Sequence, residues 1–187
     1  MARNLIATIS PLMTGVADIP PTAAAAALWR FALDFYALPD VSGALIELQD
    51  RAGLDVNLIL FALWHGLSGR GRLDAQQLAA ADQAVGMFRA EIIEPLRMLR
   101  RRLGTGLDAD TRQLRETITR VELDAEKIAL TRLAGCAGPL IIGIDRADRH
   151  SAAVANLALC IGSDLSARAG AVIRTKLEGL RADCLIG

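Results

Sequence analysis

Aromatic residues make up only 4% of this 187-residue chain, which has two histidines and three cysteines. Each shortage excludes something. Cys136, Cys160 and Cys184 are odd in number and lack short spacings, so they build no disulfide framework. They read as small buried apolar residues in a reducing compartment. His65 and His150 have no partner at ligand spacing, and neither CxxC nor HExxH occurs. No acid-rich loop of calcium type is present. Nucleophilic and nucleotide chemistry leave no mark either, because GxSxG, GxGxxG after a strand and the phosphate loop are all missing. The expectation is a chain with no metal and no cofactor. Formal net charge is zero, which argues against a protein built mainly to hold nucleic acid or an anionic membrane. No segment offers the roughly 18 uninterrupted apolar residues of a membrane span. The expected location is the cytoplasm.

What is present points to helices. Apolar residues make up 52% and charged residues 22%, enough to bury a core. Ala and Leu, which lose little side-chain freedom in a helix, are abundant. Residues 1–21 read as an irregular arm, and 22–187 as a single helical domain. Within it, 22–67 forms a three-helix unit. Thr22 caps the first helix, Asp40 the second and Asp55 the third, while Gly53 supplies the left-handed stop between the last two. Residues 74–134 form a long antiparallel hairpin. Its first arm turns Leu78, Ala81, Val85, Phe88, Ile92, Leu96, Leu99 and Leu103 inward, with Pro95 as a kink or a break. Its second turns Leu114, Ile118, Val121, Ala125 and Ile128 inward. "GCAGPLIIGIDRADR", 135–149, reads as linker or helical turn, because a lone strand has no partner. Ser151 caps a helix to about 161, and Ser163 or Asp164 caps a last one, so 151–181 holds the C-terminal helices. The fold class is all-α, a helical bundle of about six or seven helices.

The polar groups that stand out lie in the very apolar first third: Arg30, Asp34, Tyr36, Gln49, Asp50, Asp55, Asn57 and His65. Asp55 and Gly53 have capping duties, and Asp50, Asp55 and Asn57 straddle a helix-ending glycine, a poor arrangement for a cation. Buried polar groups need partners. The set therefore forms either a network that fixes helix packing, with Arg30 paired to Asp34, or a polar pocket open to a ligand. "SGRGR", 68–72, reads as a solvated loop between helices. Arg97, Arg100, Arg101 and Arg102 complement a helix C-terminus, with anion binding as the sharper alternative.

One stretch carries a family likeness. Trp29, Phe31, Tyr36, Pro39 and Val41, then Leu48-Gln49-Asp50, Gly53, Asp55-Val56-Asn57, Leu60 and Trp64, follow the pattern W-x-F…Y-x-x-P…LQD-x-x-G-x-DVN…W. This resembles the N-terminal signature of a proteobacterial family catalogued as domain of unknown function 2390. The likeness covers about forty residues and implies a soluble bacterial protein. It implies no reaction, cofactor or catalytic residue, but it makes Gln49, Asp50, Asp55 and Asn57 part of a recognisable pattern.

With no catalytic set in view, the leading expectation is a non-enzymatic interaction or accessory protein. It would dock a protein partner, or further copies of itself, on apolar stripes of its long helices. The alternative is an enzyme or small-ligand binder with a polar pocket between the first three helices.

Overall fold

The computed structural model describes residues 22–104, 108–162 and 167–179. Among them every regular element is helical. Helix α1, Ala23–Tyr36, starts where Thr22 Oγ1 accepts the Ala25 N–H at 3.2 Å. It buries Leu28, Phe31, Ala32 and Phe35, with the two phenylalanine rings stacked 5.4 Å apart. Helix α2 is Val41–Ala52 and ends at Gly53, whose φ of 64° is the expected left-handed stop. Asp40 does not cap α2. Its φ is 68° and its side chain accepts no helix amide. The left-handed turn after Pro39 swings the carboxylate off the helix axis, to 3.6 Å from Lys176 Nζ.

Helix α3, Val56–His65, is capped by Asp55, and eight of its ten residues are buried. A helix buried on nearly every side must lie at the centre of the packing. Indeed α3 touches α1, α2 and three helices from later in the chain, Ala75–Phe88, Ala109–Gly135 and Arg146–Ile161. The chain then continues into a π turn, Gly66–Arg70. This corrects the reading of "SGRGR" as solvated, since Gly66, Leu67, Ser68 and Gly69 are all buried. They are buried because α7, Arg146–Ile161, runs directly across them. A Cβ on Gly66 would sit 2.3 Å from the Ala153 backbone nitrogen.

The hairpin follows. Helix α4 is Ala75–Phe88, with Asp74 and Gln77 in a reciprocal capping box. A π turn over Arg89–Ile93 leads into α5, Glu94–Arg102. Pro95 explains the turn. It has no N–H for the carbonyl one turn back and its ring crowds that carbonyl, so the backbone widens there. The extra residue shifts the helix phase, and Ile93 is buried where the simple period expects Ile92, which is 42% exposed. Helix α6, Ala109–Gly135, returns antiparallel. Its inward row is Ile118, Glu122, Ala125, Ala129 and Leu133. Of the five residues expected inward, only Ile118 and Ala125 are buried; Leu114, Val121 and Ile128 are 52%, 46% and 41% exposed.

Residues 136–145 form turns without a strand. Helix α7 begins earlier than expected. Asp145 caps it by accepting the Asp148 N–H at 2.8 Å, and Ser151 lies inside the helix, where its Oγ accepts from Arg72 instead. Helix α8 is Ala167–Gly179. The expected arm 1–21 and the Ser163 or Asp164 cap lie outside the described residues. Because α4 and α5 form one interrupted rod, the described residues form seven helices, within the expected six or seven, and include the long hairpin. Buried apolar residues from α1, α2, α3, α4, α6, α7 and α8 join in one continuous core.

The Gly66 contact yields a prediction. Gly66→Ala must push α3 and α7 apart, because the obstacle is backbone rather than a yielding side chain. The variant should lose roughly 2–3 kcal/mol of stability in urea unfolding. An unchanged midpoint would show that the two helices are not held this close.

Candidate functional site

Helix α5 has no fully buried residue, and half-buried Leu96 is its apolar contact with the core. Its arginines add the stronger hold. Glu122 projects inward from α6 with a side chain only 7% exposed. It accepts from Arg97 Nε at 3.3 Å and Arg100 Nη2 at 3.0 Å, and Arg100 Nε also meets its second oxygen. One turn along, Glu126 accepts from Arg97 Nη2 at 2.8 Å. Such charge-assisted pairs are the strong kind of hydrogen bond. Burial, only partly offset by Arg97, pushes the Glu126 carboxyl up to about 7. The Tyr36 hydroxyl on α1 is pushed up to about 12, by burial first and by the Glu126 charge second.

The layer continues toward the α2–α3 corner. Asp55 uses Oδ1 to accept the N–H groups of Asn57 at 2.8 Å and Leu58 at 3.4 Å. Its Oδ2 accepts from Arg89 Nη1 at 2.6 Å, and Arg89 reaches Asp82 at 2.8 Å. One carboxylate thus caps a helix and holds the hairpin. Near the surface, Arg101 donates to Asp50 at 2.6 Å, which holds that carboxyl below its ordinary range. Gln49 Nε2 donates to the same oxygen at 3.4 Å.

A second polar assembly lies at the other end of α3. His65 Nδ1 is 3.1 Å from the Gly71 carbonyl, while the Gly138 N–H donates to Nε2 at 3.4 Å. A carbonyl can only accept, so Nδ1 carries the proton and the ring is neutral. Burial lowers its pKa in the same sense. Asn156, 1% exposed, completes the pin. It accepts the Leu73 N–H at 2.7 Å and donates to the carbonyls of Ala62 at 3.0 Å and Gly71 at 3.2 Å.

The polar residues singled out in the sequence therefore divide. Tyr36 and Asp55 meet in the charged layer, Asp50 and Gln49 sit on its edge, and His65 belongs to the separate pin. Asn57 is buried beside Asp55. Arg30 is exposed on α1 and Asp34 half-buried one turn on. The basic cluster is largely absorbed, since Arg97, Arg100 and Arg101 each bind a carboxylate of this chain. Sequence reading missed Arg89, Glu122, Glu126 and Asn156. Glu122 left a signal, an acid in phase with Ile118, Ala125 and Ala129.

Chemically, the carboxylates of the layer are engaged by guanidinium groups. Among the described residues no three His, Cys, Asp or Glu side chains are placed to hold a metal ion. A shallow, open depression of about 460 Å³ lies away from the layer, lined by Gly71, Arg72, Ile141–Ile144, Asp148, Ser151 and Ala152.

A family model described as "Protein of unknown function (DUF2390)" matches residues 27–133. That span runs from within α1 to the last turn of α6 and includes every member of the charged layer, whereas Asn156 lies beyond it. No curated protein and no solved structure matches the chain.

Glu126 gives a pH prediction. Its carboxyl, raised from 4.5 to about 7, keeps a proton in the folded chain where the unfolded chain has released it. The resulting stabilisation is complete below the unfolded value and is lost as pH rises through the folded one. Glu126→Gln keeps an acceptor for Arg97 and removes this titration. Urea unfolding at pH 5 and pH 8 should show the variant gaining on the wild type at the higher pH. A constant difference between them would place the Glu126 carboxyl in the ordinary range.

Proposed function

This chain belongs to the DUF2390 family, and on that premise we propose that it is a non-enzymatic interaction protein of the cytoplasm. It docks another protein chain on the outer seam of its α5–α6 hairpin. One observation carries the reading: Leu114, Val121 and Ile128 stand at heptad spacing on α6 and are 52%, 46% and 41% exposed. A row of large aliphatic side chains left in water along three turns or more is the feature that partner helices cover. Two further facts fit. Among the described residues no helix is long and apolar enough to cross a membrane. The charged layer locks the hairpin to the bundle, so the seam is presented on a rigid support.

A polar pocket for an enzyme or small-ligand binder between α1, α2 and α3 is the alternative. The near-neutral carboxyl of Glu126 is in its favour. Against it, Asp55, Glu122 and Glu126 are already bound by Arg89, Arg97 and Arg100, so a ligand would have to displace strong internal pairs.

The test is affinity capture from the native cell with tagged wild-type protein and with Val121→Glu/Ile128→Glu. The substitutions are at exposed positions and should leave circular dichroism and the urea midpoint unchanged. Loss of a specific captured protein in the variant is the expected result. Equal recovery by both proteins would remove the seam from function.

A further inference from the structure

The seam has a second side. Arg97 and Arg100 on α5 reach Glu122 and Glu126 on α6, and the Arg132 guanidinium lies 4.1 Å over the Phe88 ring. These contacts fix the antiparallel register, with Leu99 level with Val121 and Ile92 level with Ile128. They also fix the side. Arg132 lies on the flank of α6 that carries Val121 and Ile128, and its contact with Phe88 turns that flank toward the α4–α5 rod. On α5, Arg101 on one flank of the Arg97–Arg100 row reaches Asp50 of α2, so Ile92 and Leu99 on the other flank face outward, and both stripes border one outward groove. Ile92 and Leu99 are 42% and 46% exposed. The groove is thus walled by aliphatic side chains on both helices.

We infer that the occupant of this groove is a second copy of this chain, its α5–α6 hairpin crossing the first about a two-fold axis at the height of Leu99 and Val121. This deepens the interaction reading above and rests on it. The argument is self-complementarity. A two-fold interface places the same patch on both subunits, and two antiparallel hairpins packed face to face make a four-helix bundle, a stable way to bury such stripes. Charge agrees with shape. On the rim, Arg102 lies one turn beyond Leu99 and Asp124 one turn beyond Val121, and because the helices are antiparallel these steps run in opposite axial directions. The two-fold axis reverses the axial direction and sets α5 of one copy over α6 of the other. Arg102 of one copy therefore comes level with Asp124 of the other, twice per dimer. Both residues are exposed.

The experiment is sedimentation velocity on the full chain over a dilution series. The expected species is a dimer. Val121→Glu, which places a charge beside the axis, should raise its Kd at least about tenfold. Arg102→Asp alone and Asp124→Arg alone should each weaken the dimer, and the double variant should recover most of the loss, a result no general surface effect produces. A monomeric wild type, a dimer indifferent to Val121→Glu, or a double variant no better than the singles would each overturn the inference. A monomer that still captures another protein through Val121 would sink the second copy and leave the interaction reading standing.

Discussion

The carboxylate of Glu122 is the point on which the attachment of α5 depends. The helix fully buries no residue of its own, and beside the half-buried Leu96 its hold on α6 comes from Arg97 and Arg100 closing on that one acid. A buried charge without partners costs several kcal/mol, and breaking such a cluster costs more than never having built it. The same acid therefore sets the register of the hairpin. Arg97 also reaches Glu126, whose charge is felt at the Tyr36 hydroxyl on α1. Asp55 ties the hairpin to the α2–α3 corner through Arg89.

A helix held by charge need not face its neighbours with its apolar side. The π turn at Arg89–Ile93 makes that freedom concrete. One added residue rotates everything after it, so Ile93, Arg97 and Arg100 turn in while Ile92 and Leu99 turn out. On α6 the row containing Glu122 faces the bundle and the row of Leu114, Val121 and Ile128 faces outward. The polar interior and the greasy exterior of this hairpin thus have one origin. Satisfying the arginines inside leaves aliphatic side chains outside.

The far end of α3 follows a different logic. There the backbones of α3 and α7 approach so closely at Gly66 and Ala153 that side chains are squeezed out. The carbonyls and amides of the tight turn after Gly66 still need partners, and His65 and Asn156 supply them. A neutral imidazole suits the task because it offers one donor and one acceptor. Both ring nitrogens of His65 are thereby engaged by the backbone.

Much of this was legible along the chain. Local rules act over one or two turns, and they located Thr22, Gly53 and Asp55 as helix ends and the long hairpin as a pair of arms. They also marked Tyr36 and Asp55 as polar groups in need of partners. Local rules could not see which way a helix turns once it has neighbours. Heptad-spaced Leu114, Val121 and Ile128 and the row through Ile118, Glu122 and Ala125 are both acceptable apolar faces, and the choice between them came from distant partners, the arginines of α5 on Glu122 and the core that receives Ala129 and Leu133. Asp40 failed as a cap because a left-handed turn moved it, and "SGRGR" failed as a solvated loop because α7, about eighty residues later, lies across it. Helix identity depends on residues close in sequence, so the sequence alone determined it. The facing of the helices and the partners of buried charges depend on residues far apart in the chain, and those only the tertiary structure decided.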